Sequence, residues 1–143
     1  MTLIRYHLFM NILSKETDYA VQALIYIHKR AGEVVSVPDI EKDLRLPRSF
    51  LRKILQVLSK NYILQSIKGN KGGFKLVKKT QDMKLTDIMK IFQGDFTINE
   101  CIIKNKICGN RKTCKIRKKL NLVEKNLFEE LKKITILSLM NDE

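Results

Sequence analysis

The spacing of the apolar residues changes near Asn61, and this change limits the folds that the chain can adopt. Before Asn61, apolar positions recur every three or four residues, which is the period of an amphipathic helix. After it, the short β-type runs 62–64 and 74–77 flank a basic, glycine-rich segment, 68–73, which is typical of a β-hairpin. The sequence therefore predicts a mainly α-helical chain with one small β-hairpin.

Three helices are predicted before the hairpin. Ser14 is a suitable N-cap for the first, which runs to Arg30, and Ser36 for the second, which is short. A turn at Leu46-Pro47 separates the second helix from the third, which spans residues 48–60. Two short helices joined by a tight turn are typical of a helix-turn-helix, and a hairpin directly after them is typical of a wing.

Two further helices are predicted after the hairpin. A short helix over 85–92 is ended by Gly94, with Thr86 as its candidate cap, and a long helix spans 113–133. Residues 134–140 are expected either to extend the long helix or to form a short final one. Along the long helix, apolar residues at three- and four-residue spacing form a stripe, made up of Ile116, Leu120, Val123, Leu127 and Leu131.

The net charge of the chain is +13 over 143 residues. A small protein with so large a positive excess usually meets a polyanion, and we expect nucleic acid. A basic surface that serves only solubility and an anionic membrane are the alternatives. No segment approaches the roughly 20 apolar residues of a membrane-spanning helix, so no membrane partner is expected.

The first ten residues lack the apolar core and the cleavage site of a signal peptide. We expect residues 1–9 to be an N-terminal extension, with Met10 as an alternative start, and the protein to be cytoplasmic.

The predicted helix-turn-helix and hairpin offer polar residues suited to DNA. Arg and Lys donate to guanine and phosphate, Gln pairs with adenine, and Ser bonds to either; a solvated helix face is the alternative explanation. On the hairpin, lysines add charge for phosphates, and glycines are expected to let the backbone turn tightly and approach a phosphate closely. The candidate DNA-binding residues are Arg48, Ser49, Arg52, Lys53 and Gln56 on the third helix, and Lys68, Asn70 and Lys71 on the hairpin.

Three cysteines, Cys101, Cys108 and Cys114, are spaced C-x6-C-x5-C among basic residues. Positive neighbours favour the thiolate, which is the form that binds metal, and an odd number of cysteines argues against a disulfide framework. Zinc and iron–sulfur clusters both suit thiolate ligands, but the spacing is not that of a zinc finger. Inert cysteines are the alternative.

Four features together resemble the Rrf-type winged-helix transcriptional regulators, the group of the iron–sulfur cluster regulator IscR and the nitric-oxide-sensing repressor NsrR. They are the run 13–20, the helix-turn-helix through 49–51, the wing 68–74 and the three-cysteine loop before a long helix. The resemblance covers about Leu13 to the C-terminus. It is carried by the combination, because each motif alone is weakly specific.

The resemblance implies a homodimer joined largely by the long C-terminal helix, so that the apolar stripe would be the dimerisation surface. It also implies binding to palindromic operators in double-stranded DNA. The expected domains are then a winged helix-turn-helix DNA-binding domain over 10–80, a short helix with the cysteine-bearing loop over 81–115, and a dimerisation helix with a tail over 113–143.

The resemblance further implies a 2Fe–2S or 4Fe–4S cluster on the three cysteines. Some members use a His three residues after the last Cys; here that residue is Arg117, which cannot ligate iron. Others use an Asp in the first helix of the partner chain, and the matching residue is Asp18; a first-turn acid that favours the helix dipole is the alternative role. The chain departs from its relatives at Lys71, where Gly is usual, and at Arg52, where some have Glu.

The expected function is that of a DNA-binding regulator, acting as a repressor, which senses nitric oxide, redox state or iron–sulfur supply through a bound cluster. A regulator of the same fold without a cluster, which senses a metabolite or a partner protein, is the alternative. An enzyme is not expected, since the chain has no nucleotide-binding motif, no Ser/His/Asp set and no C-x-x-C pair.

Overall fold

In the computed structural model, which describes residues 11–30, 32–98 and 112–141, the predicted winged helix is confirmed. Three helices come first, α1 (Lys15–Lys29), α2 (Val37–Leu44) and α3 (Arg48–Lys60). A hairpin of β1 (Leu64–Ile67) and β2 (Gly73–Leu76) follows, then a 3-10 turn (Thr80–Asp82). The chain continues with α4 (Leu85–Gln93), α5 (Lys115–Lys133) and α6 (Ser138–Asn141).

The first two helices begin at the predicted caps. The Ser14 hydroxyl accepts a hydrogen bond from the backbone N–H of Thr17 at 3.1 Å, and the Ser36 hydroxyl accepts one from Asp39 at 3.3 Å. Apolar faces of α1 to α4, β1 and the C-terminal segment close over one core, whose largest fully buried side chains include Leu24, Ile27, Ile40, Leu51, Leu55, Leu58, Leu64, Ile88 and Ile136.

The turn between α2 and α3 sets the angle of the helix-turn-helix. Arg45 adopts a left-handed conformation, with φ of 53°, and its backbone N–H donates to the carbonyl of Glu41 at 2.8 Å. Leu46 is buried at 8% exposure, and the turn ends at Pro47, whose fixed φ suits the residue before a helix. The two short helices are therefore locked at their junction by both backbone geometry and core packing.

The hairpin differs from the predicted β-runs at its start. Tyr62 and Ile63 precede β1, because Tyr62 has a left-handed φ of 58° and the N–H of Ile63 donates back to Leu58 at the end of α3. On its other side, β2 gains a partner that the sequence did not indicate: Val35 and Phe74 exchange two backbone hydrogen bonds of 2.9 and 2.8 Å. The wing is thereby tied to the chain between α1 and α2.

The C-terminal part returns to the winged helix. The Leu85 N–H donates to Ile134 and the Ile136 N–H donates to Met83, each at 2.9 Å, and Ile136 is fully buried. These bonds require extended chain after α5, so residues 134–140 do not extend that helix, and α6 is a short final helix. The proposed Thr86 cap was wrong: α4 starts at Leu85, Thr86 is buried within it, and the Asp87 carboxylate accepts from the Lys84 N–H at 3.4 Å.

None of the residues of helix α5 is buried, although α5 is 19 residues long. It contacts α4, and its Phe128 stacks on Phe96, which follows α4, with ring centroids 5.9 Å apart. No helix in the described ranges is both long enough and apolar enough to span a membrane.

Candidate nucleic-acid interface and cysteine site

The two faces of α3 are chemically distinct. Leu51, Ile54, Leu55 and Leu58 are buried against the core. The five polar residues predicted to read DNA are all exposed, and they form the opposite face: Arg48, Ser49, Arg52, Lys53 and Gln56. The structure therefore places this predicted set on one accessible surface that begins at the N-terminal end of α3, the end of a recognition helix that reaches base edges first.

Glu41 is a residue of this surface that the sequence reasoning missed. Its carboxylate accepts a hydrogen bond from the Nε of Arg48 at 2.6 Å, across the turn between α2 and α3. This bond uses Nε alone, so the two terminal guanidinium nitrogens stay available to an acceptor such as guanine. The seven-residue separation across a turn gives no periodic signal in the sequence, which explains the omission.

A second polar cluster fixes α2 against α1. The Tyr26 hydroxyl donates to the Asp43 carboxylate at 2.7 Å, and Arg30 bonds to the same oxygen at 3.3 Å. The Arg30 guanidinium also lies over the Tyr26 ring, 4.1 Å from its centroid. These contacts hold the helix-turn-helix on the rest of the domain.

The hairpin tip presents the predicted Lys68, Asn70 and Lys71 as exposed side chains. The tight backbone that its glycines were expected to allow is present, and the chain itself accounts for them. A Cβ on Gly72 would lie 2.4 Å from the Ile67 carbonyl oxygen, and one on Gly73 would lie 2.2 Å from that of Val35. Gly69 has φ of +109°, where other residues are strained. The glycines shape the wing, and only the polar side chains remain as evidence for DNA contact.

Of the predicted iron ligands, the structure describes Cys114 and Asp18, whereas Cys101 and Cys108 lie outside the described residues. Cys114 is a free, half-buried thiol at the N-cap position of α5.

Asp18 is exposed in the first turn of α1, where it accepts a hydrogen bond from Gln22 at 3.0 Å. In the part of the chain that the structure describes, no three potential metal ligands are gathered.

With this geometry in place, the chain can be compared with known proteins. A family model, Rrf2, described as an iron-dependent transcriptional regulator, matches residues 13–142. The chain belongs to the Rrf2 family. As a member it is a transcriptional regulator, and the exposed polar face of α3 is the surface suited to DNA.

Individual Rrf2 relatives match over nearly the whole chain. An HTH-type transcriptional regulator of Aquifex aeolicus is 30% identical over 134 residues, covering 92% of this chain and 93% of the relative. The HTH-type transcriptional regulator NsrR of Oceanobacillus iheyensis is 26% identical, covering 92% and 90%. The structure of CymR, the global cysteine regulator of Bacillus subtilis, superposes with a TM-score of 0.73 at 19% identity, covering 92% and 97%, which shows a shared fold.

The apolar stripe of this Rrf2 regulator has an exposed part and a packed part. Ile116 is 72% exposed, Leu120 41% and Val123 54%. Leu127 is half-buried, and Leu131 packs against the core. The N-terminal half of α5 therefore carries large apolar side chains that find no cover among the described residues of one protomer.

Proposed function

We propose that this Rrf2 regulator is a homodimeric repressor that binds a palindromic operator and senses nitric oxide, redox state or iron–sulfur supply through an iron–sulfur cluster. The proposed ligands are Cys101, Cys108 and Cys114 with Asp18 of the partner subunit. The observation that carries the proposal is the half-buried Cys114 thiol at the N-cap of α5. In the sequence, Cys101 and Cys108 precede it, and the exposed apolar stripe of α5 follows it.

The DNA-binding part rests on the α3 surface and the wing tip. Both present exposed cations and amides, and the chain carries a net charge of +13. Phosphate contacts supply affinity, whereas base contacts supply specificity. We assign Arg48, Ser49, Arg52, Lys53 and Gln56 mainly to base reading, and Lys68, Asn70 and Lys71 to the backbone.

The dimer part rests on the exposed stripe of α5. Large apolar side chains that recur along one helical face are normally covered by a partner helix. A second copy packed on the N-terminal half of α5 would cover Ile116, Leu120 and Val123. It would also bring the start of one α5 close to the other protomer, as a shared ligand set requires.

The donor chemistry fits an iron–sulfur cluster. Cysteine sulfurs are the usual ligands of such clusters, and Cys114 is a free thiol at the start of α5. Asp18 is exposed, so its carboxylate is accessible from outside its own protomer. A carboxylate is a harder ligand than a thiolate, and iron at that position would be the more readily lost.

A bound cluster would supply a centre that reacts with nitric oxide and oxidants. The residues of this chain would do the rest. Asp18 would tether α1 of one protomer to residues 101–114 of the other, which carry the three cysteines and are called the cysteine segment. This tether would set the separation of the two α3 helices, which must match half-sites about one DNA turn apart, roughly 34 Å. Loss of the tether would change operator affinity.

The testing experiment is the visible absorption spectrum, with iron and sulfide analysis, of protein purified without oxygen. We expect a coloured protein with about two or four irons per chain, the stoichiometry of common clusters. Cys114→Ser is the matched variant, because Ser is a good N-cap and should preserve the start of α5, whereas its hydroxyl is a poor iron ligand. The variant should lose the colour and melt at the temperature of the cluster-free wild type, since only the contribution of the bound cluster is lost.

A regulator without a cluster is the second candidate, and an open groove favours it. This groove, of about 390 Å³, is lined by apolar Leu76, Val77 and Leu137 and by the cations Lys78 and Lys79, between the end of the wing and the C-terminal segment. This size falls in the range of small-molecule sites, and the lining suits an anion with an apolar part. Colourless protein that also fails reconstitution with iron and sulfide would favour this candidate.

A further inference from the structure

The side chain of Gln93 links two parts of the molecule that the proposed function must connect. Gln93 is the last residue of α4, and the chain after it leads to the cysteine segment. Its Oε1 accepts hydrogen bonds from the Ser14 backbone N–H at 3.0 Å and from the Thr17 hydroxyl at 2.8 Å. Its Nε2 donates to the Ile12 carbonyl at 3.0 Å. All three partners lie at the start of α1.

At the start of α1, the Thr17 hydroxyl that bonds to Gln93 is buried and hydrogen-bonded. Thr17 is 0% exposed, and its hydroxyl also lies 3.0 Å from that of Ser14. A buried hydroxyl that loses its partner carries a desolvation cost, so the network resists partial rupture. Asp18, the proposed iron ligand, directly follows Thr17 in the same helical turn.

The segment after Gln93, residues 94–98, is also held in place by contacts with α5. Gly94 follows Gln93 with φ of 77°, a conformation that favours glycine, and redirects the chain out of α4. Phe96 then stacks on Phe128 of α5, and the Ile98 N–H donates to the Glu124 carboxylate of α5 at 2.8 Å. A displacement of segment 94–98 thus acts directly on the α4 end from which Gln93 reaches α1.

We propose that Gln93 is a positioning residue that transmits the state of the cysteine segment to the start of α1 in the same protomer. The proposal deepens the proposed function and rests on it for the identity of the signal, but the link itself requires no cluster. If Asp18 serves the partner's cluster, Gln93 also connects the two cluster sites of the dimer.

The test perturbs the cysteines directly and follows hydrogen exchange at α1. Full-length apo protein is measured before and after alkylation with iodoacetamide, with peptides covering 12–20 and 94–98 followed separately. In the wild type, alkylation should change exchange in both peptides. In Gln93→Leu, the change should persist in 94–98 and shrink at least about fivefold in 12–20, because the bonds that join the two segments are gone.

Three further variants sharpen the result. Gln93→Glu keeps both accepted hydrogen bonds and should retain most of the response, whereas Gln81→Ala, an exposed glutamine in the 3-10 turn, should behave as wild type. Thr17→Val removes the buried hydroxyl and replaces Gln93→Leu in the comparison if the latter does not fold.

A merely structural Gln93 would raise exchange in both forms and leave the response at 12–20 intact, which would overturn the proposal. No response at 12–20 in the wild type would overturn it as well. Absence of a cluster is scored independently, by the colour and iron content of the same preparation, and would count against the proposed function only.

Discussion

Replacing both lysines at the hairpin tip, Lys68 and Lys71, with alanine tests whether this hairpin acts as a DNA-binding wing. Both side chains are exposed, and neither has an ion-pair partner among the described residues, so the change removes charge without breaking an internal contact. Each cation that neutralises a phosphate contributes about 0.9 to the slope of log affinity against log salt. A dimer loses four such contacts, a slope change of about 3.6.

When salt is raised from about 50 to 200 mM, the affinity of the wild type should therefore fall by a factor roughly 150 times larger than that of the variant. The assay is fluorescence anisotropy with a duplex that the wild type has selected from a random pool, titrated at four salt concentrations. Lys84→Ala with Lys90→Ala is the control, because these exposed lysines, one at the N-cap of α4 and one within it, give the same charge change away from the predicted interface. Equal slopes for the wing variant and the control would refute the reasoning.

Two further predictions concern stability and assembly. Gly73→Ala would force a Cβ to within 2.2 Å of the Val35 carbonyl oxygen and break the two bonds of that bridge, so thermal melting should fall by about 6 °C, for roughly 2 kcal/mol, whereas Ser66→Ala should melt as wild type. An unchanged melting temperature would show that the bridge is unimportant. Val123→Asp should convert the proposed dimer to monomer in light scattering, whereas Asn121→Asp, on another face of α5, should not. A dimeric Val123→Asp would exclude the stripe as the interface.

The sequence predicted the winged helix well because its signals are local. The caps at Ser14 and Ser36, the apolar period of α3 and the glycine-rich hairpin each depend on neighbours within a few residues. Composition misplaced the start of the first strand, because Tyr62 has a left-handed backbone and Ile63 bonds back to Leu58 at the end of α3. For residues 134–140 the sequence left two alternatives, and the distant partners Leu85 and Met83 decide for extended chain followed by a short final helix.

Some features of the candidate site could be predicted from local sequence patterns, whereas others depend on contacts between residues far apart in the chain. The exposed face of α3 followed from periodicity, since a buried stripe on one side defines what lies on the other. The Gln93 network and the Val35 bridge join residues far apart in sequence, and no pattern along the chain marks them. The glycines of the wing show the converse risk: their number suggested contact with phosphate, whereas the fold requires each of them.

Replacing Glu41 with alanine should separate the affinity for DNA of any sequence from the preference for the selected duplex. An acid beside the reading end of α3 repels every duplex, and the structure gives it one compensating contact, its 2.6 Å bond to Arg48. Glu41→Ala should therefore tighten binding to scrambled DNA by removing negative charge. It should also release Arg48, so that the preference for the selected duplex over the scrambled one falls by up to about fivefold, the range of an exposed ion pair.

Glu33→Ala provides the matched charge change on an exposed acid of the loop before α2, and it should tighten binding to both duplexes equally. Dissociation constants for the two duplexes at one fixed salt concentration give the ratio for each variant. If Glu41→Ala keeps the wild-type ratio, Glu41 acts through charge alone and Arg48 needs no positioning. If the ratio falls only in Glu41→Ala, the bond across the turn between α2 and α3 orients Arg48 for base recognition.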